Sequence, residues 1–376
     1  MSDPLSIRTV GILGGGQLAM MLAEAAEPLG LTCVALDPDP RCPASHACEV
    51  IEGRYDDPAA LDSLADRSDV VTYEFENVPV KSARRIASST SVCPDPIALE
   101  TAQDRLHERR MFRRLGVDAP EMRAVGSLDE LTKAAAAIGG PAILKSRRDG
   151  YDGKGQSVLR SPADAEAAWV AVGRVPCILD RLIPFDRELS VIATRGRDGR
   201  TALYPLNENE HANGILCVSR APAEETGRLE AIAHKAAGAV LAELNYVGTL
   251  AVEFFQIGVG ADARLLANEI APRVHNTGHW TIEGAETSQF ENHMRAVAGL
   301  PLGSTRALGH AAMVNIIGAH PPEAARSAHP ERYWHDYHKQ ARPARKLGHV
   351  TSLDPTPDAR EAAVRSLLDA ISRGGE

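Results

Sequence analysis

The residues between Lys145 and Gln156 carry the strongest chemical signal in the chain. A short apolar run ends in Lys145, a second begins at Gln156, and the residues between include Gly150, Gly153, Lys154 and Gly155. Backbone N–H groups of a flexible glycine loop can cap phosphate oxygens, and lysine adds positive charge beside them. A plain hairpin would need only a two-residue turn. We therefore predict a loop that covers a phosphate group and differs from a Walker loop, whose motif is absent.

Acidic residues follow on two neighbouring predicted strands. Glu253 lies inside the apolar run "GTLAVEFFQI", and Asn268 and Glu269 end the run "RLLANEI". A carboxylate among apolar neighbours is unfavourable without a cation partner. Two such carboxylates with an amide oxygen suit Mg²⁺ that also contacts nucleotide phosphates. The alternative is an internal ion pair with an arginine, and we favour the metal because the phosphate loop lies upstream.

A cluster of hydrogen-bond donors comes directly after Glu269. The segment "APRVHNTGHW" contains Arg273, His275, Asn276 and Thr277. Donors grouped beside a metal can stabilise a small oxyanion such as bicarbonate or a carbonyl phosphate. We therefore predict that this segment binds a small oxyanion beside the metal.

The N-terminal segment from Val10 to Asp37 has the pattern strand, glycine turn, helix and strand. Gly14, Gly16 and Ala19 fit G-x-G-x-x-[GA], and Asp37 ends the second strand. The pattern predicts a parallel sheet whose ligands bind at the carboxyl ends of its strands. The glycine turn alone leaves open a dinucleotide, a sugar monophosphate or a tight turn without a ligand.

Further elements must position these residues. Glu74 and Glu76 follow the predicted strand "DVVTYEF", and Glu74, nearer the strand, is the better ligand candidate. A helix through "LETAQDRLHERRMFRRLG" places Arg105 near its middle, and "VDAPEMRAVGS" is a predicted connector before a helix capped by Ser127. The strand "CILDRLI" is predicted to offer backbone groups to a nucleobase, and "NENEHANGI" is a predicted polar loop containing His211.

Length and composition limit the classes of protein. The chain has 376 residues, which predicts two or three domains, and its net charge of −9 argues against binding to nucleic acid or an anionic membrane. No apolar run approaches the roughly 20 residues that span a membrane. Six cysteines without a disulfide framework and an N-terminus without signal-peptide features lead us to expect a cytoplasmic protein.

Six segments together resemble the ATP-grasp superfamily and, within it, the family of 5-(carboxyamino)imidazole ribonucleotide synthases. They are "GILGGGQLAMML", "LDPDP", "YEFENVP", "GYDGKGQ", "NEIAPRVHNTGHWTIEGAETSQFENHMRAV" and "RKLGH". The resemblance covers nearly the whole chain and implies an α/β fold. It implies a Rossmann-like domain at 1–104, an ATP-grasp domain at 105–298 with a flap at about 120–195, a small C-terminal subdomain at 299–376, and a homodimer.

The resemblance also implies a reaction of de novo purine biosynthesis. ATP, with Mg²⁺, phosphorylates bicarbonate to carboxyphosphate, and 5-aminoimidazole ribonucleotide accepts the carboxyl group directly or through carbon dioxide. The implied ATP-binding residues are Arg105, Lys145, Gly150, Tyr151, Asp152, Gly153, Lys154, Gly155, Gln156, Asp180, Arg181, Leu182, Ile183, Glu188, His211, Asn268 and Glu269.

The same resemblance assigns the other sites. Glu253 and Glu269 match metal ligands. Residues on the ribonucleotide side are Gly16, Gln17, Leu18, Glu74, Lys339, Arg345 and Lys346. Residues with implied catalytic roles are Arg273, His275, Asn276, Thr277, Tyr151 and Lys154.

Three positions depart from the family pattern, and other functions stay open. Asp180 stands where the family usually has Glu, Thr277 where Ser is usual, and Asp149 where Gly is common. One alternative is a related ATP-grasp ligase such as formate-dependent glycinamide ribonucleotide transformylase. Alternatives from other classes are a dinucleotide oxidoreductase, which would leave Glu253 and Glu269 unexplained, and a nucleotide sensor without activity.

Overall fold

The computed structural model describes residues 7–148, 150 and 155–372, and the strands of these residues form three sheets. The first sheet is parallel, in the order β3-β2-β1-β4-β5. Its elements are β1 (Thr9–Leu13), α1 (Gln17–Ala26), β2 (Thr32–Asp37), β3 (Glu49–Glu52), α2 (Pro58–Asp66), β4 (Val70–Tyr73), α3 (Val80–Ala87), β5 (Ser91–Val92) and α4 (Pro96–Ala102). The predicted Rossmann-like sheet is confirmed, and β1 and β4 lie side by side where the strand order reverses.

The second sheet is a small antiparallel sheet in the order β6-β9-β7-β8. Its segment of the chain contains α5 (Arg105–Arg114), β6 (Met122–Val125), α6 (Leu128–Ile138), β7 (Ala142–Ser146), β8 (Gln156–Leu159), α7 (Ala165–Ala171) and β9 (Cys177–Arg181). Leu131, Leu144 and Trp169 belong to its apolar core. The strands β7 and β8 flank the predicted phosphate loop, as the sequence pattern indicates.

The third sheet has nine described strands, with the order β15-β14-β10-β12-β13-β16-β18-β17 and β11 paired to β10. Its elements are β10 (Arg187–Arg195), β11 (Thr201–Leu203), β12 (Asn207–Ala212), β13 (Ile215–Ala221), α8 (Leu229–Glu243), β14 (Gly248–Ile257), β15 (Arg264–Ala271), α9 (Thr281–Gly284), α10 (Gln289–Ala298), β16 (His310–Ile317), α11 (Glu323–Ala328), β17 (Tyr333–Asp336), β18 (Lys346–Asp354) and α12 (Pro357–Ser372). This sheet continues across residue 299, where we predict a subdomain boundary.

Alternation along β10 and β14 decides which side chains are available for chemistry. Leu189 and Val191 of β10 and Val252 of β14 are buried in one apolar core with α8. Because successive side chains of a strand point to opposite faces, Ser190 and Glu253 lie on the other face, where they are directly opposite each other. The apolar side chains on one face of each strand pack into the core and thereby fix the position of the polar side chains on the other face.

Three local expectations are wrong. The charge-rich helix is broken into α4 and α5, so Arg105 begins a helix instead of lying in its middle; Asp104 caps α5 by accepting a hydrogen bond from Leu106 N–H at 3.0 Å. The predicted connector contains β6. The predicted polar loop around His211 is strand β12 and a turn to β13.

Within the described residues, no helix combines the length and the apolar character needed to cross a membrane.

Candidate active site

A cavity of about 580 Å³ is lined by residues from all three sheets. Gln17 and Glu74 line it from the carboxyl-terminal edge of the first sheet, Lys145 from β7, and Glu253 and Glu269 from the third sheet. The cavity therefore brings the predicted ribonucleotide residues and the predicted ATP residues into one space.

Two cations that are predicted to bind phosphate line one end of this cavity. Arg105 donates from Nη1 to Glu269 Oε2 at 2.9 Å and from Nη2 to the carbonyl oxygen of Gly150 at 3.2 Å. Lys145 Nζ lies 3.3 Å from Asp180 Oδ2, which also accepts from Arg109 Nη2 at 3.0 Å. Burial lowers the pKa of Lys145. The side chain of Asp180, shorter than the usual Glu, is therefore used to hold two cations beneath the site.

The two candidate metal ligands face each other on paired strands. Glu253 of β14 is the register partner of Glu269 of β15. Burial, and then the charge of Glu269, raise the pKa of Glu253 to about 8. Burial also opposes ionisation of Glu269, but the Arg105 guanidinium outweighs it and lowers the pKa of Glu269. The ion pair with an arginine, which is the alternative to a metal site, is therefore present at Glu269. Glu253 instead contacts His275 Nε2 at 3.5 Å.

The residues beside this pair fit a hard cation. Among the described residues, Asn268 Oδ1 is buried and has no hydrogen-bond partner. No group of three or more His, Cys, Asp or Glu side chains in the described part of the chain is arranged to hold a metal. Mg²⁺ usually takes one or two carboxylates and completes its octahedron with phosphate oxygens and water. An orphaned amide oxygen and two carboxylates therefore suit an ion that arrives with a nucleotide.

The wall nearest β9 and β10 carries a stacked aromatic pair and a paired acid. Phe185 and Phe255 stack with ring centroids 4.6 Å apart and an interplanar angle of 15°. Glu188 is hydrogen-bonded to His211 Nδ1, and this bond, outweighing the opposing effect of burial, raises the pKa of His211. An aromatic surface next to a carboxylate is suited to a nucleoside.

Two backbone N–H groups of the segment predicted to contact a nucleobase already have partners within the protein. The N–H groups of Arg181 and Leu182 are bonded to the carbonyl oxygens of Glu121 and Pro141, and the Arg181 guanidinium donates to Glu121 and to Ile138 O. Ile183, which follows β9, lines the cavity together with Arg181 and Leu182, and the contact of this segment with a nucleobase stays a prediction.

The donor loop is held in place from two sides. Arg273 pairs with Glu76, and Gln289 accepts from His275 N–H at 2.9 Å. Asn276 Oδ1 accepts from Asn315 Nδ2 at 2.6 Å. The hydroxyl of Thr277, a fully buried residue, lies 2.8 Å from His275 Nδ1. Thr277 therefore contacts another site residue, and it lines the cavity together with Arg273, His275 and Asn276.

The glycine turn after β1 is engaged by two carboxylates of the protein itself. Asp37 Oδ2 accepts from Gly15 N–H at 2.9 Å and from the Tyr55 hydroxyl at 2.5 Å, and Glu74 Oε1 accepts from Gly16 N–H at 3.0 Å. A Cβ at Gly16 would lie 2.6 Å from Glu74 Oε1, so a larger residue there would displace this carboxylate. Donors occupied by carboxylates cannot hold a pyrophosphate, and a dinucleotide is a poor ligand for this turn.

The C-terminal cations reach the same edge. Lys339 Nζ donates to Gln17 Oε1, which joins the last part of the chain to the start of α1. Burial lowers the pKa of Lys339 to about 8, with Arg345 and Lys346 adding to the effect of burial. Lys346 lines the cavity, whereas Arg345 donates to Gln340 O at 3.2 Å and does not line it.

The cavity collects most of the predicted residues. Those that line it are Gln17, Leu18, Glu74, Arg105, Lys145, Gly150, Gln156, Asp180, Arg181, Leu182, Ile183, Glu188, His211, Glu253, Asn268, Glu269, Arg273, His275, Asn276, Thr277 and Lys346. Gly16, Gly155, Lys339 and Arg345 lie outside its lining. The predictions for Tyr151, Asp152, Gly153, Lys154 and Asp149 fall outside the described residues.

Several residues that shape the site were missed in the sequence. Arg109 is buried beneath the site and donates to Asn268 O and to Asp180. The sequence of its helix predicted only a solvent-exposed charged face. Glu76, the partner of Arg273, was weighed only as the weaker ligand candidate of its segment. The signal for Arg109 was its position one helical turn after Arg105, on the same face of α5.

Three family models match consecutive parts of the chain. They describe a ribonucleotide synthetase preATP-grasp domain at residues 7–103, an ATP-grasp domain at 110–290, and a phosphoribosylaminoimidazole carboxylase C-terminal domain at 311–363.

Three similar proteins carry closely related names. The N5-carboxyaminoimidazole ribonucleotide synthase of Pseudomonas aeruginosa is 50% identical over 364 residues, which cover 96% of this chain and 99% of that protein. The crystal structure of the synthetase from Thermus thermophilus has a TM-score of 0.92 at 47% identity, covering 96% and 98% of the two chains. The Aspergillus clavatus enzyme in complex with ADP and 5-aminoimidazole ribonucleotide has a TM-score of 0.89 at 31% identity, covering 97% and 99%.

Proposed function

Because the chain belongs to the N5-carboxyaminoimidazole ribonucleotide synthase family of ATP-grasp enzymes, we propose that it uses ATP and bicarbonate to carboxylate 5-aminoimidazole ribonucleotide. It is an ATP-dependent ligase that forms ADP. One observation carries the proposal: a single cavity joins a cation-rich phosphate end, with Arg105 and Lys145, to a ribonucleotide end, with Gln17 and Glu74.

ATP takes the end between the second and third sheets. Phe185 and Phe255 would hold adenine, Glu188 and His211 the ribose, and Arg105 and Lys145 the phosphates. ATP carries about four negative charges at neutral pH, and these must be neutralised before an anion can attack it. Lys145 is held by Asp180, and Arg105 by Glu269, so both cations are oriented before the nucleotide arrives.

Mg²⁺ would be held by Glu253, Glu269 and the Asn268 amide oxygen, with phosphate oxygens of ATP. When bound, the ion supplies charge neutralisation at the transferring phosphoryl group. The support for this assignment is the register pairing of the two carboxylates and the orphaned amide oxygen beside them.

The reaction would take place between the two ends. A bicarbonate oxygen attacks the γ-phosphorus of ATP, and ADP leaves. The amino nitrogen of the ribonucleotide then bonds to the carboxyl carbon, while phosphate leaves and the amine loses a proton. His275, Asn276 and Arg273 line this part of the cavity and would orient bicarbonate and carboxyphosphate. Excluding water here matters because carboxyphosphate hydrolyses readily.

The ribonucleotide takes the edge of the first sheet. Gln17, Leu18 and Glu74 would contact the aminoimidazole and the ribose, and Lys339, Lys346 and Arg345 would attract the phosphate. The support is the direct contact between Gln17 and Lys339, which brings cations from the C-terminal segment to the glycine turn.

One assay tests the proposal and its alternatives. Purified protein receives ATP, Mg²⁺, bicarbonate and 5-aminoimidazole ribonucleotide, and ADP and the carboxylated product are measured. We expect ADP formation that depends on both bicarbonate and the ribonucleotide. Product formation only with formate and glycinamide ribonucleotide would favour the transformylase alternative, and binding of ATP without turnover would favour a sensor.

We also propose a homodimer and a cytoplasmic location. All six cysteines lie in the described part of the chain and are free, which suits a reducing compartment. Light scattering at working concentration should give twice the chain mass of 40.2 kDa. Cell fractionation should recover the protein with cytoplasmic markers, and a monomer or a membrane fraction would overturn the respective proposal.

A further inference from the structure

A buried network of hydroxyl and amide groups lies directly behind His275. Its members come from three strands of the third sheet and from the turn that follows β15. Ser190, Ser219 and Thr277 are fully buried, and the neighbouring amides are Asn207 and Asn209. Ser190 is opposite Asn207 in register, and Asn209 is opposite Ser219, so all four strand residues lie on the face that carries Glu253.

The orientation of the Asn209 amide is fixed by its neighbours. Its Oδ1 accepts two hydrogen bonds, from Asn207 Nδ2 at 2.8 Å and from the Ser219 hydroxyl at 2.5 Å. Its Nδ2 therefore faces Ser190 and donates to Ser190 Oγ at 3.0 Å. Because this bond occupies an acceptor position of Ser190, the remaining question is where the single proton of the Ser190 hydroxyl goes.

Two acceptors lie within reach of that proton. Thr277 Oγ1 is 2.9 Å from Ser190 Oγ, and Asn207 Oδ1 is 3.1 Å away. If Ser190 donates to Thr277, the Thr277 hydroxyl donates in turn to His275 Nδ1, its other partner at 2.8 Å. A neutral imidazole that accepts at Nδ1 carries its proton on Nε2.

The opposite arrangement gives an unfavourable site. If Ser190 donates to Asn207, Thr277 must donate to Ser190 to avoid two facing lone pairs, and His275 must then donate from Nδ1. This leaves a bare Nε2 lone pair directed at Glu253 Oε1, 3.5 Å away, which is repulsive whenever that carboxyl is ionised, as a metal ligand must be. The expected occupants of this part of the cavity, bicarbonate and carboxyphosphate, are also anionic, so a donor at Nε2 is required there.

We propose that Ser190 is a positioning residue for the carboxylation: through Thr277 it fixes the tautomer of His275 that presents an Nε2–H donor to the oxyanion. The inference rests on the proposed function for its catalytic consequence. The relay itself, from Asn209 through Ser190 and Thr277 to His275, is a property of the free protein and is testable without turnover.

The tautomer is measured by ¹⁵N NMR of histidine-labelled protein, with the His275 signals assigned by their loss in His275→Gln. At pH 9, where Glu253 is ionised, we expect Nε2 to be protonated and Nδ1 to be bare in the wild-type protein. In Ser190→Ala the relay loses its donor, and we expect a mixture of tautomers. A wild-type protein with the proton on Nδ1, or a Ser190→Ala spectrum identical to that of the wild type, would overturn the inference.

Kinetics give the second measurement, with Thr194→Val as a matched control. Thr194 lies on the same strand, is also fully buried, and shares its hydroxyl hydrogen bond with Thr249 at 2.7 Å, away from His275. Removing one positioned hydrogen bond in Ser190→Ala should lower kcat/KM for bicarbonate by about tenfold. The KM for ATP should stay within about twofold in both variants, and the control should retain its kcat/KM for bicarbonate.

The two hypotheses fail in different ways. If the wild-type protein forms no ADP in response to bicarbonate and the ribonucleotide, the proposed function fails and the NMR result still decides the relay. If the wild type is active and Ser190→Ala and Thr194→Val lose kcat/KM for bicarbonate equally, the loss is a general effect of removing a buried hydroxyl, and the assignment of Ser190 is refuted.

Discussion

At the level of single residues, Glu269 pairs with an arginine and also faces a second carboxylate. It accepts from Arg105 at 2.9 Å and lies opposite Glu253 on the paired strand. Although partial burial opposes ionisation of Glu269, whose side chain is 41% exposed, the Arg105 guanidinium outweighs this effect and lowers the pKa of the carboxyl. An ionised carboxylate next to a cation that also contacts the phosphate loop can serve a metal and a nucleotide at once.

We predict that Glu269→Gln removes ATP turnover and leaves the fold intact. The amide keeps the shape of the side chain but removes a proposed metal ligand and its negative charge. Loss of one such electrostatic contact should lower kcat for ADP formation by about 100-fold or more. Circular dichroism should give a spectrum like that of the wild type. Full activity in this variant would refute the metal assignment.

The second carboxylate predicts a dependence on pH. Burial and the charge of Glu269 raise the pKa of Glu253 to about 8, so at pH 7 this carboxyl is mostly protonated in the free protein. A metal ligand must be deprotonated, so binding of Mg²⁺ with ADP should release up to one proton at pH 7. The affinity should therefore rise as the pH increases from 7 to 8 and level off above about 8.

Calorimetry in buffers of different ionisation enthalpy measures this proton release. Glu253→Gln is the matched variant, since it keeps the side-chain shape and cannot titrate. We expect it to abolish the release and to weaken binding. Equal proton uptake and release in the wild type and in Glu253→Gln at pH 7 would contradict the role of Glu253.

At the level of elements, the break between α4 and α5 positions the first cation of the site. Asp104 caps α5, accepts from Arg147 Nη2 at 2.5 Å, and is itself buried. The N–H group of Arg105 donates to Arg147 O at 3.0 Å. The cap therefore joins the start of α5, where Arg105 stands, to the chain that leaves β7 toward the phosphate loop.

We predict that Asp104→Ala lowers the free energy of unfolding by about 2 kcal/mol or more, because it removes a cap and leaves Arg147 without its partner. It should also raise the KM for ATP severalfold, since Arg105 loses its fixed position. Ser127→Ala is the control, because it removes the cap of α6, where Ser127 Oγ accepts from Glu130 N–H at 3.2 Å. This control should lower the free energy of unfolding by about 1 kcal/mol.

The two measurements are urea unfolding and steady-state kinetics. The KM for ATP should be unchanged in Ser127→Ala, because α6 contributes no residue to the cavity. If both variants alter the KM for ATP equally, the effect is one of general stability, and the cap at Asp104 has no special link to the site.

Elements whose pattern is local were predicted from the sequence. The strands β7 and β8 flank a glycine-rich loop. The strands that carry Glu253 and Glu269 are apolar except for single acidic residues. In both cases the neighbouring residues in the sequence are enough to predict the element. Strand β12 was missed because its residues are polar. In the structure Asn207 and Asn209 alternate with more exposed residues, and their buried face supports the site instead of an apolar core.

Contacts between distant segments could not be predicted. The sequence does not indicate that Glu76 meets Arg273, or that Asn315 meets Asn276, because each pair is set by how the sheets pack. The break before Arg105 did have a signal, since Asp104 is a favourable cap residue directly before the helix. The continuous charge-rich pattern on both sides of it favoured a single helix.

At the level of the whole molecule, an acidic protein must bind anionic substrates. The net charge of −9 opposes such ligands at long range. The site counters it with local cations drawn from distant parts of the chain. Arg105, Lys145 and Lys346 line the cavity, and Lys339 lies outside the lining but contacts Gln17 at the edge of the first sheet. Two anionic ligands can thus be held in one cavity by separate sets of cations, and the two sets should be separable by mutation.

We predict that Gln17→Ala weakens ribonucleotide binding and leaves ATP affinity largely unchanged. Gln17 lines the cavity beside Glu74 and accepts from Lys339, so its loss should displace the cation proposed for the ribonucleotide phosphate. Loss of one charge-assisted hydrogen bond corresponds to about a tenfold or larger rise in KM for the ribonucleotide.

Glu188→Gln is the reciprocal variant, since Glu188 pairs with His211 at the nucleoside end of the cavity. It should raise the KM for ATP, while the KM for the ribonucleotide stays within about twofold. Steady-state titration of each substrate in both variants decides the matter. If Gln17→Ala changes the KM for ATP as much as that for the ribonucleotide, the glycine turn after β1 belongs to the nucleotide site, and the division of the cavity into two ends is wrong.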